Sequence, residues 1–181
     1  METATPTTTV WTIDPTHSEV QFKVRHLMVS NVTGSFGTFE GKVETTDDTF
    51  QNARISFWAD IASINTGNEQ RDAHLKSAEF FNQEQHPKLS FESSSMLATG
   101  DNTYDLTGNL TIMETTKPVT LKAEYGGQMT DFYGNTKAGF ELTGAIRRKE
   151  FGLTWDAVTE AGGVVVSDEV KLIMNIQVVR Q

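Results

Sequence analysis

The chain has 181 residues, the size of one ordinary domain. Lys and Arg total 15 against 24 Asp and Glu, a net charge of −9, which argues against nucleic acid and against retention on anionic lipid by a basic surface. Cysteine is absent, which excludes a thiolate nucleophile, a disulfide scaffold and a Cys-bound zinc or iron–sulfur centre.

Residues 1–9 are rich in Thr, with Pro6, and read as a flexible N-terminal tail; residues 10–181 read as a single domain. The start has neither a basic segment nor an apolar one of the signal-peptide kind, so a cytoplasmic location is expected, or a periplasmic or secreted one if the native start was replaced. No stretch approaches the roughly 18 apolar residues of a membrane helix. From Val10 the chain alternates apolar and polar residues. Val10–Ile13 reads as an edge strand. In 18–26, Val20, Phe22, Val24 and His26 share one face. The run 27–32 lacks alternation and suggests one helical turn. The segment 34–46 reads as a strand bent at Gly34, Gly37 and Gly41. In 53–61 the apolar face is Ile55, Phe57, Ala59 and Ile61.

Residues 66–79 predict a helix, with Thr66 and Glu69 in capping-box spacing. Alternation then resumes. Leu89, Phe91, Ser93, Ser95 and Leu97 oppose Ser90, Glu92 and Met96. Tyr104, Leu106, Gly108, Leu110 and Ile112 form the next apolar face. It is followed by Val119, Leu121, Ala123 and Tyr125, then by Ala138, Phe140, Leu142, Gly144 and Ile146. Val170, Leu172, Met174, Ile176 and Val178 form the last. Turns are expected at 100–102, Gly126-Gly127, Gly134-Asn135 and Gly162-Gly163. A period of two without intervening helices means half-buried antiparallel strands, about eight of them.

Such strands pack as a two-sheet sandwich or as a closed barrel. The apolar face mixes Phe, Leu and Ile with Gly108, Gly144, Ala123 and Ser93, which favours a hollow barrel. A hollow of this kind suits an apolar ligand, since each buried CH₂ contributes roughly 0.8 kcal/mol.

Several motifs carry a family resemblance. They are Asp14-Pro15-Thr16-His17-Ser18-Glu19-Val20 running on to Leu27, then Val32-Thr33-Gly34-Ser35-Phe36, and Arg71-Asp72-Ala73-His74-Leu75 followed by Phe80-Phe81 and His86-Pro87-Lys88-Leu89. Further on come Leu106-Thr107-Gly108-Asn109-Leu110 with Thr116-Lys117-Pro118-Val119, then Arg148-Lys149-Glu150-Phe151-Gly152-Leu153 and Ser167-Asp168-Glu169-Val170. In this order, from Trp11 to about Val178, they resemble the YceI-like family. The resemblance implies an all-β fold, an antiparallel eight-stranded lipocalin-like barrel with one or two short helices at its ends. It implies a channel holding a polyisoprenoid or similar long-chain amphiphilic lipid, no required cofactor, no catalytic reaction, and a homodimer.

The expected function is therefore that of a lipid carrier. Its channel would be lined by Phe22, Val24, His26, Phe57, Phe91, Leu106, Gly108, Leu110, Leu121, Phe140, Leu172 and Met174. Candidates for holding a polar head group are Arg147, Arg148 and His74. His26 could instead cap a buried backbone group, and His74 could pair locally with Asp72 or Arg71. Glu150 or Asp156 could neutralise the arginines. No His-x-His or His-Glu-x-x-His spacing suggests a metal. Asp14, His17 and Ser18 crowd one turn, but neighbouring residues point apart, so no hydrolase is expected. The alternative is a solid barrel acting as a dimeric interaction protein, with Trp58, Met96, Ile173 and Val179 on its outer face.

Overall fold

A computed structural model describes residues 7–46, 49–156 and 165–181; most of the expected tail and the Gly162-Gly163 turn lie outside them. Eleven strand segments are hydrogen-bonded in the order β1-β4-β5-β7-β8-β9-β10-β11-β2-β3-β6, with β1 also paired to β11. Their ranges are β1 Thr9–Ile13, β2 Glu19–His26, β3 Ser30–Phe36, β4 Phe39–Thr45, β5 Arg54–Asp60, β6 Ile64–Asn65, β7 Lys88–Gly100, β8 Thr103–Ile112, β9 Thr115–Thr130, β10 Thr136–Arg147 and β11 Val166–Arg180.

The first six segments are three ribbons, each bent once. β1 and β2 meet at a 3₁₀ turn, Pro15–His17, where the Asp14 carboxylate accepts from Thr16 N at 2.9 Å. β5 and β6 meet at a second turn, Ile61–Ser63, where Asp60 accepts from Ala62 N at 3.3 Å. Between them β3 and β4 bend at Gly37-Thr38. Aspartate suits both corners because its short carboxylate satisfies an amide that the bend takes out of the ladder. Three bent ribbons and five long strands make the eight-stranded antiparallel barrel expected from the alternation.

Val10–Ile13 is not an edge. β1 pairs with β4 on one side, Trp11 opposite Val43, and with β11 on the other, Ile13 opposite Val178. It is the strand that closes the barrel and removes its free edges. The 27–32 segment is not helical: Leu27 and Met28, at φ 52° and 60°, turn the three-residue connection, completed by Val29, between β2 and β3. Gly126-Gly127 is not a turn either. It lies inside β9, where the pairing with β10 slips by one residue, and the chain reverses at Asp131–Asn135 around the Asp131 carboxylate.

The helix α1 spans Glu69–Lys76 at one end of the barrel. Its cap is Asn68, whose side chain accepts from Arg71 N, rather than Thr66. Thr66 is held instead by Asp72, whose Oδ1 accepts from its N at 2.9 Å and its Oγ1 at 2.6 Å.

Inward-facing glycines keep the walls thin. A Cβ at Gly34 would lie 2.2 Å from the Phe22 ring, one at Gly108 2.4 Å from the Phe91 ring, and one at Gly144 2.5 Å from Leu121 Cδ2. The large side chains thus lie flat over a neighbouring strand instead of projecting across the axis. Gly108→Ala should displace the Phe91 ring and also press on the Glu92 carbonyl oxygen, 2.5 Å from the new Cβ, so that the strand pair itself must shift at a cost of about 1–3 kcal/mol, as overpacking does. Urea unfolding would read the cost, and an unchanged midpoint would contradict it.

Candidate ligand channel

The inward faces do not meet on the axis. They enclose a cavity of about 590 Å³, within the usual size of small-molecule sites. β11 runs its depth, from Val166 opposite His26 to Val178 opposite Ala138. At about 3.3 Å per residue and a strand tilt near 40°, that is roughly 30 Å.

Every expected wall residue except Gly108 borders this cavity. Gly108 sits behind the Phe91 ring and does not touch the lumen. Alternation placed the others correctly because a closed barrel turns one pleat face inward along its whole circumference.

The far end is closed. Phe50, from the connection between β4 and β5, is 3% exposed and packs on Trp11, Tyr125 and Phe140 at ring-centroid distances of 5.3, 5.6 and 4.8 Å. Met96 joins it and is buried, although strict alternation had put it outside with Leu97 facing in. The β7–β8 register slips between Ser93 and Ser95, and the extra residue inverts the side chains from Ser95 to the second slip after Ala98, so Leu97 is exposed. Sequence reasoning missed Phe50 because it stands in a polar, non-alternating segment; its one signal was a lone aromatic among turn-forming residues.

The near end is polar. Thr66, Asn68, Gln70 and Arg71 border the cavity beside His26 and Val165, and Asn68, Gln70 and Arg71 are exposed. Arg71 is committed in part: Nε donates to Thr66 Oγ1 and Nη2 to Thr66 O, both at 2.7 Å. His74 also borders the cavity, its ring edge-on to Trp155 and Phe80, and its Nε2 is 2.5 Å from Glu79 Oε2. Its ring therefore serves the aromatic cluster at this end.

The two arginines part company. Arg147 follows Ile146 on β10 and so points outward; it lies outside the channel, 3.7 Å from Asp168. Arg148 is buried and borders the channel, but its guanidinium is engaged within the chain. Nε donates to Ser167 O, Nη1 to Leu153 O and Trp155 O, and Nη2 to Val166 O while lying 3.4 Å from Asp156. Burial lowers its pKa, and Asp156 and Asp168 oppose that shift. Four of the five N–H groups of the guanidinium thus donate to carbonyl oxygens and Nη2 faces Asp156 as an ion pair, so the group is engaged by the chain itself rather than presented to a head group. Arg148 is a bolt that ties Leu153–Asp156 to the start of β11 and so sets Trp155 at the channel end.

The remaining candidates separate as well. His17 Nδ1 lies 2.7 Å from Asp14 Oδ2, while Ser18 Oγ turns to β11 and accepts from Gln177 N at 2.9 Å, so no triad forms in that turn. The Asp14 carboxyl titrates at about 2, held down by its hydrogen bonds from Thr16 and His17. Among the described residues no cluster of three or more His, Asp or Glu is placed to hold a metal, and no helix is long and apolar enough to cross a membrane. On the outside, Trp58 lies under Lys88 at 3.6 Å, Ile173 is paired with Gln21 and Thr143, and Val179 with Thr12 and Lys137. With Met96 inside, these residues do not gather into one patch.

Replacing Arg148 by Leu should cost about 3–5 kcal/mol, because it orphans four carbonyl groups and takes from Asp156 one of its two cationic partners, leaving Lys149 at 3.2 Å. Arg147→Ala should stay within about 0.5 kcal/mol of the parent. Chemical denaturation of the two variants side by side checks the contrast; equal losses would refute it.

The YceI-like domain family model matches residues 11–178. Protein YceI of Salmonella newport is 38% identical over 165 residues, spanning 91% of this chain and 83% of that protein. Burkholderia cenocepacia BcnA superposes with a TM-score of 0.79 at 21% identity, over 91% of this chain and 98% of that one. A polyisoprenoid binding domain from Saccharophagus degradans superposes with a TM-score of 0.64 at 15% identity, over 93% and 97%. With its family motifs in order along one closed, hollow barrel, this chain belongs to the YceI-like family.

Proposed function

We propose that the protein is a carrier for a long-chain amphiphilic lipid of the polyisoprenoid class, with the chain in the channel and the polar end at the mouth. The observation that carries this reading is the shape of the lumen: a tube of about 590 Å³, walled by apolar side chains, polar at one end and closed by aromatic rings at the other. Such a tube gives a hydrocarbon the full benefit of leaving water, about 0.8 kcal/mol per CH₂, or about 4 kcal/mol per isoprene unit. Pre-formed walls spare the cost of ordering them on binding.

The mouth adds orientation rather than affinity. Asn68, Gln70 and Arg71 are exposed beside it, and His26 stands at the end of β2, so a hydroxyl, phosphate or carbonyl finds donors there while the tail lies deeper. The Saccharophagus degradans domain, described as binding polyisoprenoid, supports the class of ligand through a shared fold.

Native mass spectrometry of the purified protein incubated with an all-trans prenol tests the reading. One prenol per chain is expected. Leu172→Trp, which projects an indole from β11 into the tube, should reduce retention at least tenfold while the protein stays folded by circular dichroism. Undiminished uptake by that variant, or no uptake by the parent, would defeat the proposal.

A further inference from the structure

We infer that Phe50, seconded by Met96, is the floor that sets the longest hydrocarbon chain the channel retains, so that chain length is selected at the closed end rather than at the mouth. The inference rests on the proposal that a lipid chain fills the channel. It goes beyond it in naming the residues that decide how long that chain is.

The floor is built differently from the walls. The walls are strands whose side chains face inward by the pleat. Phe50 comes instead from the non-strand connection between β4 and β5, and folds back under the barrel. It borders the cavity with Phe140, while Trp11, at 5.3 Å from it, lies behind and borders no part of the cavity. Beyond Phe50 the next layer is thus Trp11 and Tyr125, not solvent. Met96 arrives from the other side through the register slip in β7. Two independent irregularities, a loop folded inward and an inverted strand end, place bulky groups at one level of a tube whose walls above are otherwise regular.

The connection does not depend on the Phe50 ring for its position. Asn52 N donates to Met96 O at 2.8 Å, Ala53 N to Phe50 O at 3.1 Å, and Ala98 N to Gln51 Oε1 at 2.6 Å. These bonds use backbone groups and Gln51, so truncating the ring leaves them available. The variant gains depth because segment 50–53, held by these bonds, cannot fully collapse into the space vacated.

A floor and an open mouth affect a series of chains differently. A chain shorter than the tube leaves a void above the floor; a longer one leaves carbon in water at the mouth and pulls its head group away from Asn68, Gln70 and Arg71. Retention therefore rises with each isoprene unit up to a limit and then stops rising. Lowering the floor moves the limit and leaves the mouth unaltered.

The test is competition native mass spectrometry with an equimolar ladder of all-trans prenols that differ by one isoprene unit, applied to the parent, Phe50→Ala and Met96→Ala. The parent should retain prenols up to a defined length. Phe50→Ala should move that length up by about one unit, the size of the ring removed, and should favour the longer prenol by up to nearly a thousandfold. Met96→Ala should move it in the same direction by less, and it carries the test alone if Phe50→Ala fails to fold. A parent that shows a limit which neither folded variant moves overturns the inference and leaves the channel proposal standing, as does a parent with no length limit at all. A parent that retains no prenol overturns the channel proposal and the inference with it.

Discussion

The closing of the sheet through β1, bonded to β4 on one edge and to β11 on the other, is the constraint on which the rest of the molecule depends. Once eight ribbons share one ring of backbone hydrogen bonds, the radius is set by strand number and stagger, not by the volume of the side chains inside. One layer of side chains must then fill a space that a sandwich fills from two. Here it does not. Phe22 and Phe91 lie back on Gly34 and Gly108, Leu121 lies back on Gly144, and the axis stays open. The lumen is thus a product of ring closure combined with small residues at the right places on the neighbouring strands.

The two ends of this ring are finished in different ways. The far end is sealed by carbon: Phe50, Tyr125, Phe140 and Trp11 form one aromatic cluster. The near end carries the polar groups, presented by the turn before α1, by α1 itself and by the end of β2. Arg148 takes part there without being offered to a ligand. Four of its N–H groups are spent on carbonyl oxygens while Nη2 faces Asp156, and the result is a fixed position for Trp155 against His74 and Phe80. A buried charge held this way specifies one arrangement of an otherwise irregular segment, since releasing it would orphan several carbonyl acceptors and weaken the pairing of Asp156.

Much of the fold was legible in the residues. Seven alternating faces were assigned, and all but the end of one point as expected. The exception is instructive. Up to Ser93 the face of β7 follows its parity; beyond the slip, Met96 is inside and Leu97 outside. A bulge is a matter of pairing between two strands, so neither strand's own pattern records it. The Thr66 cap failed for a related reason. Thr66 and Glu69 have capping-box spacing, but Asn68 is nearer the first helical turn and Thr66 is drawn away by Asp72 and Arg71. Arg148 resembled a head-group contact because sequence shows a cation and not the carbonyls around it.

Residue order alone decided that this chain would be β and antiparallel and, up to the slip in β7, which side chains would share the inward face, because a period of two survives any arrangement of the strands. It also carried the family, since the motifs lie in order along the chain. Only tertiary structure decided that the inward side chains fail to meet, that one end is stopped by Phe50 and Met96, and that Arg148 is consumed internally while Arg147 stays outside. Those outcomes depend on stagger, bulges and the folding-in of a non-repeating connection. They are relations between segments distant in sequence, and no local period encodes them.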